Sequence, residues 1–250
     1  MKLYSDLAEY YFVIEKNHRN IDSDISYITS VLQEFRSPKL LDIGCGTGEH
    51  LEILSQYAIQ CTGIDNSEAM LAIAKKRFPL KIDFIRCDMT GFDYTKEFNA
   101  VLSLFGTFNY LIDDYAINRV LKNTYRSLKS GGMAIFEIWN AIPVMKIKKK
   151  EISRISSTFV KNKRIDRYRG FTITSRSMNC IVEVDYIYRI YDNGITQEIE
   201  DRHAMRAFTI EEMERFIHRN GFKIKYAYSN FARMPFEESS NRMVLHCEKC

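Results

Sequence analysis

Five short apolar segments alternate with segments of helical period across residues 39–138, and this alternation limits the possible folds more than any other feature. The apolar segments are Lys39–Ile43, Ile59–Ile64, Ile82–Cys87, Ala100–Leu104 and Met133–Ile138. The segments between them with apolar residues every three or four positions are Glu49–Tyr57, Ser67–Arg77 and Tyr115–Leu128. Alternating strands and helices form βαβ units. We therefore predict an α/β fold with a doubly wound, mostly parallel sheet that helices cover on both faces.

A different pattern begins near residue 145, where apolar and polar residues alternate without helical period. The dipeptide Asn193-Gly194 is typical of a two-residue hairpin turn. The strands that it would join are Ile181–Tyr191 and Ile195–Phe208. With this turn, Arg189 lies opposite Glu198 and Asp185 lies opposite Arg202, and pairs of opposite charge favour that register. Residues 145–208 are therefore predicted to be an antiparallel β insertion.

The predicted elements divide the chain into a core and this insertion. Residues 1–144 and 209–250 form the core, in which residues 1–36 are an N-terminal helical lid. The core closes with a helix and a hairpin: Ile210–Asn220, then Phe222–Ser229 and Arg242–Cys247. The insertion between the fifth strand and the last helix is expected to be a roof over the substrate or a contact in a homodimer.

The turn after the first predicted strand carries three glycines, Gly44, Gly46 and Gly48. Glycines at a strand-to-helix turn let a ligand approach the backbone. A dinucleotide-binding turn would have its third glycine where Glu49 stands, and a P-loop would have Lys followed by Ser or Thr after Gly48. An acid at the start of a helix also disfavours phosphate. With Asp42 just before it, the turn suits a nucleoside that carries a positively charged amino-acid tail.

Acidic residues end three successive strands. Asp42, Asp65 and Asp88 are spaced 23 residues apart, so they reach the same C-terminal edge of the sheet, where open α/β sheets bind ligands. The Asp65 carboxylate could accept two hydrogen bonds from a ribose diol, and Asp88 could accept one from an adenine amine. Each Asp alone could instead be a helix cap or a turn residue. Together with the glycine turn, the three predict a nucleoside site.

These motifs resemble those of class I S-adenosylmethionine-dependent methyltransferases. The similar segments are Leu41–Gly48, Gly63–Leu71, Cys87–Met89 and Leu128–Gly132. The resemblance covers about residues 1–140 and 209–250. It implies a Rossmann-like fold with seven strands, S-adenosylmethionine as cofactor and S-adenosylhomocysteine as product. It also implies that Asp65 binds the ribose, Asp88 the adenine amine and the Gly44–Gly48 turn the methionine moiety.

A narrower resemblance concerns the methyl acceptor. Tyr4–Tyr11 is similar to the N-terminal lid of small-molecule methyltransferases, although Phe12 stands where that lid usually has Asp. Four further segments are similar to nucleotide-linked aminosugar N-methyltransferases: Phe105–Leu111, Glu137–Trp139, Val182–Tyr186 and Asp201–His203. The resemblance implies methyl transfer to the amine of a nucleotide-linked aminosugar. The alternatives are another small amine, hydroxyl or carboxylate metabolite as acceptor, or a protein that binds S-adenosylmethionine without catalysis.

The expected site has a cofactor part and a catalytic part. We expect the cofactor to contact Tyr4, Tyr11, Asp42, Gly44, Cys45, Gly46, Gly48, Asp65, Asn66, Met70, Asp88, Met89 and Leu104. The catalytic candidates are Tyr110, His203 and Tyr186. Tyr110 follows the fourth strand, where the acceptor should arrive, or is simply a packed loop aromatic. The hairpin register places His203 and Asp201 on an apolar face with Tyr186, and that face is an active-site roof, a solvated surface or an oligomer seam.

Positive charge is concentrated in the segment Lys146–Arg169, which holds ten Lys or Arg residues and two acids in a chain of net charge +4. This basic segment is either a solvated face of strands or the source of cations for the pyrophosphate of a nucleotide-linked acceptor. A nucleic-acid methyltransferase is disfavoured, because no Asn/Asp-Pro-Pro-Tyr-like run follows the fourth strand and no basic stripe with interleaved aromatics lies nearby.

The sequence lacks the usual signals for export, for a membrane span and for a metal site. The longest uncharged stretch is too short to span a bilayer and the N-terminus has no signal peptide. We therefore expect a cytoplasmic protein with reduced Cys residues and no membrane partner. Cys247 and Cys250 have CxxC spacing, but no second pair accompanies them, so we expect no metal site.

Overall fold

The structure is a computed structural model that describes residues 1–16, 21–79, 82–147, 149–175 and 179–250. Its helices are α1 (Tyr11–Glu15), α2 (Ile21–Leu32), α3 (Glu49–Ser55), α4 (Glu68–Arg77), α5 (Asp114–Ser127), α6 (Ala141–Lys146) and α7 (Ile210–Arg219). Its strands are β1 (Lys39–Ile43), β2 (Gln60–Asp65), β3 (Ile82–Arg86), β4 (Phe98–Ser103), β5 (Leu128–Trp139), β6 (Lys149–Val160), β7 (Lys163–Ser175), β8 (Cys180–Asp192), β9 (Ile195–Ala207), β10 (Phe222–Tyr228) and β11 (Arg242–Lys249). Short 3-10 turns lie at Lys2–Tyr4, Ala8–Tyr10 and Thr107–Tyr110.

Seven strands form the main sheet in the order β10-β11-β5-β4-β1-β2-β3. β11 pairs antiparallel with both β5 and β10, while the other neighbouring strands of this sheet pair in parallel. This arrangement confirms the predicted Rossmann-like fold. The strand order reverses between β1 and β4, and ligands of such sheets bind at the carboxyl ends of the strands on either side of that point.

The main sheet is buried on both faces, as its continuous apolar strands predict. Every residue of β4 is buried. On one face, α5 and α7 contribute buried side chains such as Val120 and Phe216. On the other face, α2, α3 and α4 contribute Ile28, Leu51 and Leu71. The core therefore holds the strand ends in fixed positions at the edge where the acidic residues lie.

The fifth strand begins at Leu128, five residues before the predicted apolar segment Met133–Ile138, so the predicted start of this strand was wrong. Phe98 pairs with Leu128, but Ala100 pairs with Met133, so the register slips between these two pairs. The four residues between Leu128 and Met133 bulge out of the strand, and Gly131 adopts a φ of 71°. The glycines therefore permit a bulge within the strand.

The insertion is a second, antiparallel sheet in the order β6-β7-β8-β9. Asn193 and Gly194 form its β8–β9 turn with φ values of 46° and 84°, as a type I′ hairpin requires. The predicted register is confirmed, because Arg189 pairs with Glu198 and Asp185 with Arg202. Both charged pairs form hydrogen bonds of 2.6 Å. Lys148 of the basic segment lies outside the described residues.

The second sheet is fixed over the main sheet by the end of β9. The Arg206 side chain is 1% exposed and pairs with Asp114 at the start of α5 and with Glu212 in α7. Its backbone carbonyl accepts a 2.6 Å hydrogen bond from Asn109 Nδ2, in the turn beyond β4. The same sheet packs its apolar face on the N-terminal segment, including Leu3 and Ile14. Residues from β9, the turn beyond β4 and the N-terminus thus meet above the strand ends.

Candidate active site

The glycine turn after β1 is held against β2 and against the turn beyond β4. The N–H groups of Gly44 and Cys45 donate to the carbonyl of Ile64 at 2.8 and 3.0 Å. Gly44 has a φ of 73°, and a Cβ at this position would lie 2.5 Å from the side chain of Thr107. Position 44 therefore requires glycine for its conformation and for space.

The Asp65 carboxylate at the end of β2 is oriented by two backbone donors. Gly46 N–H donates to Oδ2 at 2.9 Å and Ser67 N–H to Oδ1 at 2.8 Å. Burial raises the pKa of this carboxyl above its usual value, although these hydrogen bonds oppose the rise. Each carboxylate oxygen has a further lone pair, so Asp65 can still accept hydrogen bonds from a diol.

The Asp88 carboxylate, just beyond β3, is fixed in a similar way. Thr90 donates to Oδ1 through its N–H at 2.8 Å and its hydroxyl at 2.6 Å. Asn66 Nδ2 lies 3.4 Å from Oδ2. Asp88 is exposed at the edge of the sheet. The second oxygen is thus available to a donor on a ligand.

A cavity of about 560 Å³ brings these groups together. Its wall includes twelve of the thirteen expected cofactor residues: Tyr4, Tyr11, Asp42, Gly44, Cys45, Gly46, Asp65, Asn66, Met70, Asp88, Met89 and Leu104. Gly48 does not line it, and a Cβ there would meet the Phe84 ring at 2.7 Å. The volume lies in the range of small-molecule sites. The residues fit S-adenosylmethionine, because the carboxylates that line the cavity can accept hydrogen bonds from hydroxyl and amine groups and can balance a positive charge.

Tyr110 also lines this cavity, and it joins a buried histidine and carboxylate. Its hydroxyl lies 2.5 Å from His203 Nδ1, and His203 Nε2 lies 2.9 Å from Asp201 Oδ2. Burial raises the pKa of Tyr110 well above its usual value. Burial would also raise the pKa of Asp201, but hydrogen bonds from His203 and from backbone N–H groups lower it to about 2. Tyr110, His203 and Asp201 therefore form a hydrogen-bonded series of a hydroxyl, an imidazole and an ionised carboxylate.

The turn that carries Tyr110 is held in position by hydrogen bonds to β5 and β9. Phe105 and Gly106 have left-handed φ values of 55° and 76°. The buried Glu137 carboxylate accepts a 2.8 Å hydrogen bond from Phe105 N–H. Asn109, which is fully buried, links the same turn to β9 as described above. These contacts fix the position of Tyr110 relative to His203.

Known proteins resemble this chain in sequence and in fold. Residues 40–132 match the family model described as a methyltransferase domain. The chain has a TM-score of 0.84 and 18% identity to an S-adenosylmethionine-dependent methyltransferase from Clostridium acetobutylicum, over 98% of each chain. This chain is a class I S-adenosylmethionine-dependent methyltransferase.

Two relatives match this methyltransferase along most of their length. YqeM of Bacillus subtilis (strain 168) is 25% identical over 252 residues, which is 99% of this chain and 97% of that protein. The dTDP-3-amino-3,6-dideoxy-alpha-D-glucopyranose N,N-dimethyltransferase of Streptomyces fradiae is 26% identical over 234 residues. That match covers 88% of this chain and 85% of the relative.

Two of the three catalytic candidates of the methyltransferase, His203 and Tyr186, do not line the cavity. His203 is reached through Tyr110. The Tyr186 ring packs edge-on to His203, with 5.2 Å between ring centroids, and the Arg167 guanidinium covers it at 4.7 Å. Tyr186 therefore contacts the histidine and not the cavity.

Much of the described basic segment is paired within the methyltransferase. Arg167 is 5% exposed and its Nη1 lies 2.8 Å from Glu15 Oε1. Arg154 and Arg164 both lie within 3.5 Å of Asp166, and Lys163 pairs with another acid of its sheet, at 3.1 Å. None of the segment's described cations lines the cavity.

Sequence reasoning missed several cavity residues. Those with polar side chains are Glu15, Lys16, Glu49, His50, Thr90, Thr107 and Asp113. Glu49 could have been found, since it directly follows the glycine turn. Glu15 and His50 could not, because their positions depend on contacts with Arg167 and Asp24 far along the chain.

The described part of the methyltransferase lacks a membrane-spanning helix and a cluster of metal-binding side chains. No described helix is both long and apolar enough to cross a membrane. No group of three or more His, Cys, Asp or Glu residues in the same ranges could hold a metal ion.

Proposed function

We propose that the enzyme transfers a methyl group from S-adenosylmethionine to the amine of a small molecule, with a nucleotide-linked aminosugar as the first candidate. The observation that carries this proposal is that Tyr110 lines the cavity and its hydroxyl is hydrogen-bonded to the buried His203. The name of the Streptomyces fradiae relative, an N,N-dimethyltransferase for a dTDP-linked aminosugar, supports an amine as acceptor.

The cofactor residues have distinct roles in this proposal. Asp65 accepts hydrogen bonds from the ribose hydroxyls, and Asp88 accepts one from the adenine amine. The Gly44–Gly48 turn, Asp42 and Tyr11 surround the methionine moiety. S-adenosylmethionine, when bound, supplies a methyl group on a sulfonium that departs as a neutral thioether. The protein has only to orient the acceptor, exclude water and remove a proton.

Proton removal is the step for which the fold provides side chains. An amine attacks through a lone pair, so an ammonium must lose a proton before transfer, or a methylated amine must lose one afterwards. Tyr110 can receive that proton while it passes its own to His203. The resulting imidazolium is stabilised by the neighbouring Asp201 carboxylate, as in a serine-protease triad.

A second acceptor class is favoured by the charge of the cavity wall. Among the described lining residues, Lys16 is the single Lys or Arg, whereas Asp113 adds to the three strand-end aspartates. Glu15 and Glu49 also line the cavity, but they pair with Arg167 and Arg77. A pyrophosphate would thus find few cations inside the cavity. A free amine, or an aminosugar without a nucleotide, is therefore the alternative acceptor.

The test compares methyl transfer to nucleotide-linked aminosugars, free aminosugars, alkylamines and phenols. We expect an amine to be methylated, and we expect Tyr110→Phe to lower kcat by about 10²–10⁴-fold with unchanged cofactor affinity. Tyr115→Phe is the matched control, since Tyr115 is 74% exposed and outside the cavity. Preference for phenols, or wild-type kcat in Tyr110→Phe, would contradict the proposal. Preference for free amines would select the second acceptor class.

A further inference from the structure

The Tyr110–His203 pair is extended at both ends by residues that lie far away in the sequence. On the cavity side, the Tyr4 hydroxyl lies 2.9 Å from the Tyr110 hydroxyl. On the buried side, Asp201 Oδ2 accepts a 2.9 Å hydrogen bond from His203 and a 2.8 Å hydrogen bond from the N–H of Leu3. The first turn of the chain therefore contacts both ends of the series.

The hydrogen-bonding capacities of these groups fix the direction of the series. The ionised Asp201 carboxylate can only accept, so the His203 ring carries its proton on Nε2. Nδ1 then has a lone pair, and the Tyr110 hydroxyl donates to it. The Tyr110 oxygen in turn accepts from Tyr4. Tyr4 lines the cavity, and its oxygen keeps its lone pairs for a donor on the acceptor molecule.

The same short turn is attached to the cofactor side of the cavity. The Tyr4 carbonyl accepts a 2.5 Å hydrogen bond from the Ser67 hydroxyl. Ser67 is the N-cap of α4, and its N–H donates to Asp65. Leu3 is 2% exposed, and His203 and Asp201 are 2% and 8% exposed. The turn thus connects the second sheet to the edge where the cofactor is proposed to bind.

We propose that Tyr4 is a catalytic residue of proton transfer, and that Asp201 is a positioning residue that holds His203 and seats the N-terminal turn. This inference rests on the proposed amine methylation. The proton leaves the amine nitrogen for the Tyr4 oxygen, the Tyr4 proton moves to Tyr110, and the Tyr110 proton moves to His203 Nδ1. One proton is lost from the amine and one is gained by the imidazole. The path is complete only when Leu3 contacts Asp201 and Tyr4 contacts Tyr110.

Three variants of the full chain test the proposal. Tyr4→Phe removes one hydroxyl and keeps the ring. Asp201→Asn keeps the shape of the side chain, but its amide nitrogen cannot accept a hydrogen bond. Tyr10→Phe is the matched control, because Tyr10 lies in the same segment and contacts Lys163 outside the cavity. Melting temperatures are recorded for all three, so that unfolded protein is recognised.

The kinetic readout is kcat for the amine acceptor, with KM and cofactor affinity measured beside it. We expect Tyr4→Phe and Asp201→Asn each to lower kcat at least about 10²-fold, the lower end of the range typical of general acid–base catalysis. We expect KM and cofactor affinity to stay within about threefold, and Tyr10→Phe to match the wild type. A smaller loss of kcat in Tyr4→Phe, or weaker cofactor binding in its place, would overturn the role given to Tyr4.

Two further readouts require no acceptor. In protein labelled with ¹⁵N-histidine, the His203 signal, assigned with His203→Gln, should show a protonated Nε2 in the wild type and a changed tautomer in Asp201→Asn. Hydrogen exchange at residues 2–4 should become faster in Asp201→Asn. An unchanged tautomer and unchanged exchange would refute the role of Asp201. If the wild type methylates no amine, the proposed function fails, and these two readouts still decide whether the series exists.

Discussion

The buried ion pair between Glu15 and Arg167 leads to a quantitative prediction about stability. Their side chains are 10% and 6% exposed, and Nη1 and Oε1 are 2.8 Å apart. Arg167 also stacks on Tyr186. Glu15→Leu leaves the guanidinium charge buried without its partner, which typically costs about 3–5 kcal/mol. In a domain of this size that loss corresponds to a melting temperature lower by about 6–20 °C.

A double-mutant cycle separates the pair from its surroundings. When an ion pair is replaced as a whole by apolar residues, stability is often unchanged or higher, so Glu15→Leu combined with Arg167→Met should regain most of the loss. Thermal unfolding monitored by circular dichroism measures each variant, with Glu9→Leu as an exposed control in the same segment. A Glu15→Leu melting temperature within about 2 °C of the wild type, or additive losses in the double variant, would refute the reasoning.

Three other predictions concern the cofactor site and the effect of pH. Asp65→Ala should weaken S-adenosylmethionine binding about 10–150-fold in calorimetry, because hydrogen bonds to a charged group contribute about 1.5–3 kcal/mol; equal affinity would exclude the proposed ribose contact. Gly44→Ala should lower stability to urea more than Gly131→Ala, since both have positive φ but only the first would meet another side chain; equal losses would contradict this. Burial lowers the pKa of His246 from 6.5 to about 4. The contribution of His246 to the free energy of unfolding should be complete above pH 6.5. It should fall by about 3 kcal/mol towards pH 4, because the unfolded chain takes up the proton first. His246→Gln should remove that part of the slope in urea titrations, and an unchanged slope would contradict the assignment.

Local sequence signals predicted the fold and the cofactor edge because those features arise from local rules. The βαβ order, the glycine turn and the hairpin at Asn193-Gly194 each depend on neighbouring residues, and the hairpin turn alone fixed the correct register of β8 and β9. The start of β5 was misplaced because Gly131 permits a bulge as well as a break. A glycine by itself does not distinguish between the two.

The polar contacts of the second sheet could not be predicted from the sequence. The contact between Leu3 and Asp201 joins residues 198 positions apart. The basic segment appeared as a run of charge, but its partners are set by strand pairing and by the packing of the N-terminal segment. Arg167 was therefore grouped with solvent-facing or phosphate-binding cations, although it is a core residue paired with Glu15.

The position of β11 has a consequence for how the chain is assembled during synthesis. β11 follows β10 in the chain, yet it lies between β10 and β5 in the sheet. A nascent chain that has emerged only as far as β10 therefore has no neighbouring strand for it to join. The unpaired edge of β5 stays open until the ribosome has released residues 242–249. Chaperone binding to the nascent chain is consequently expected to persist until residues 242–249 appear.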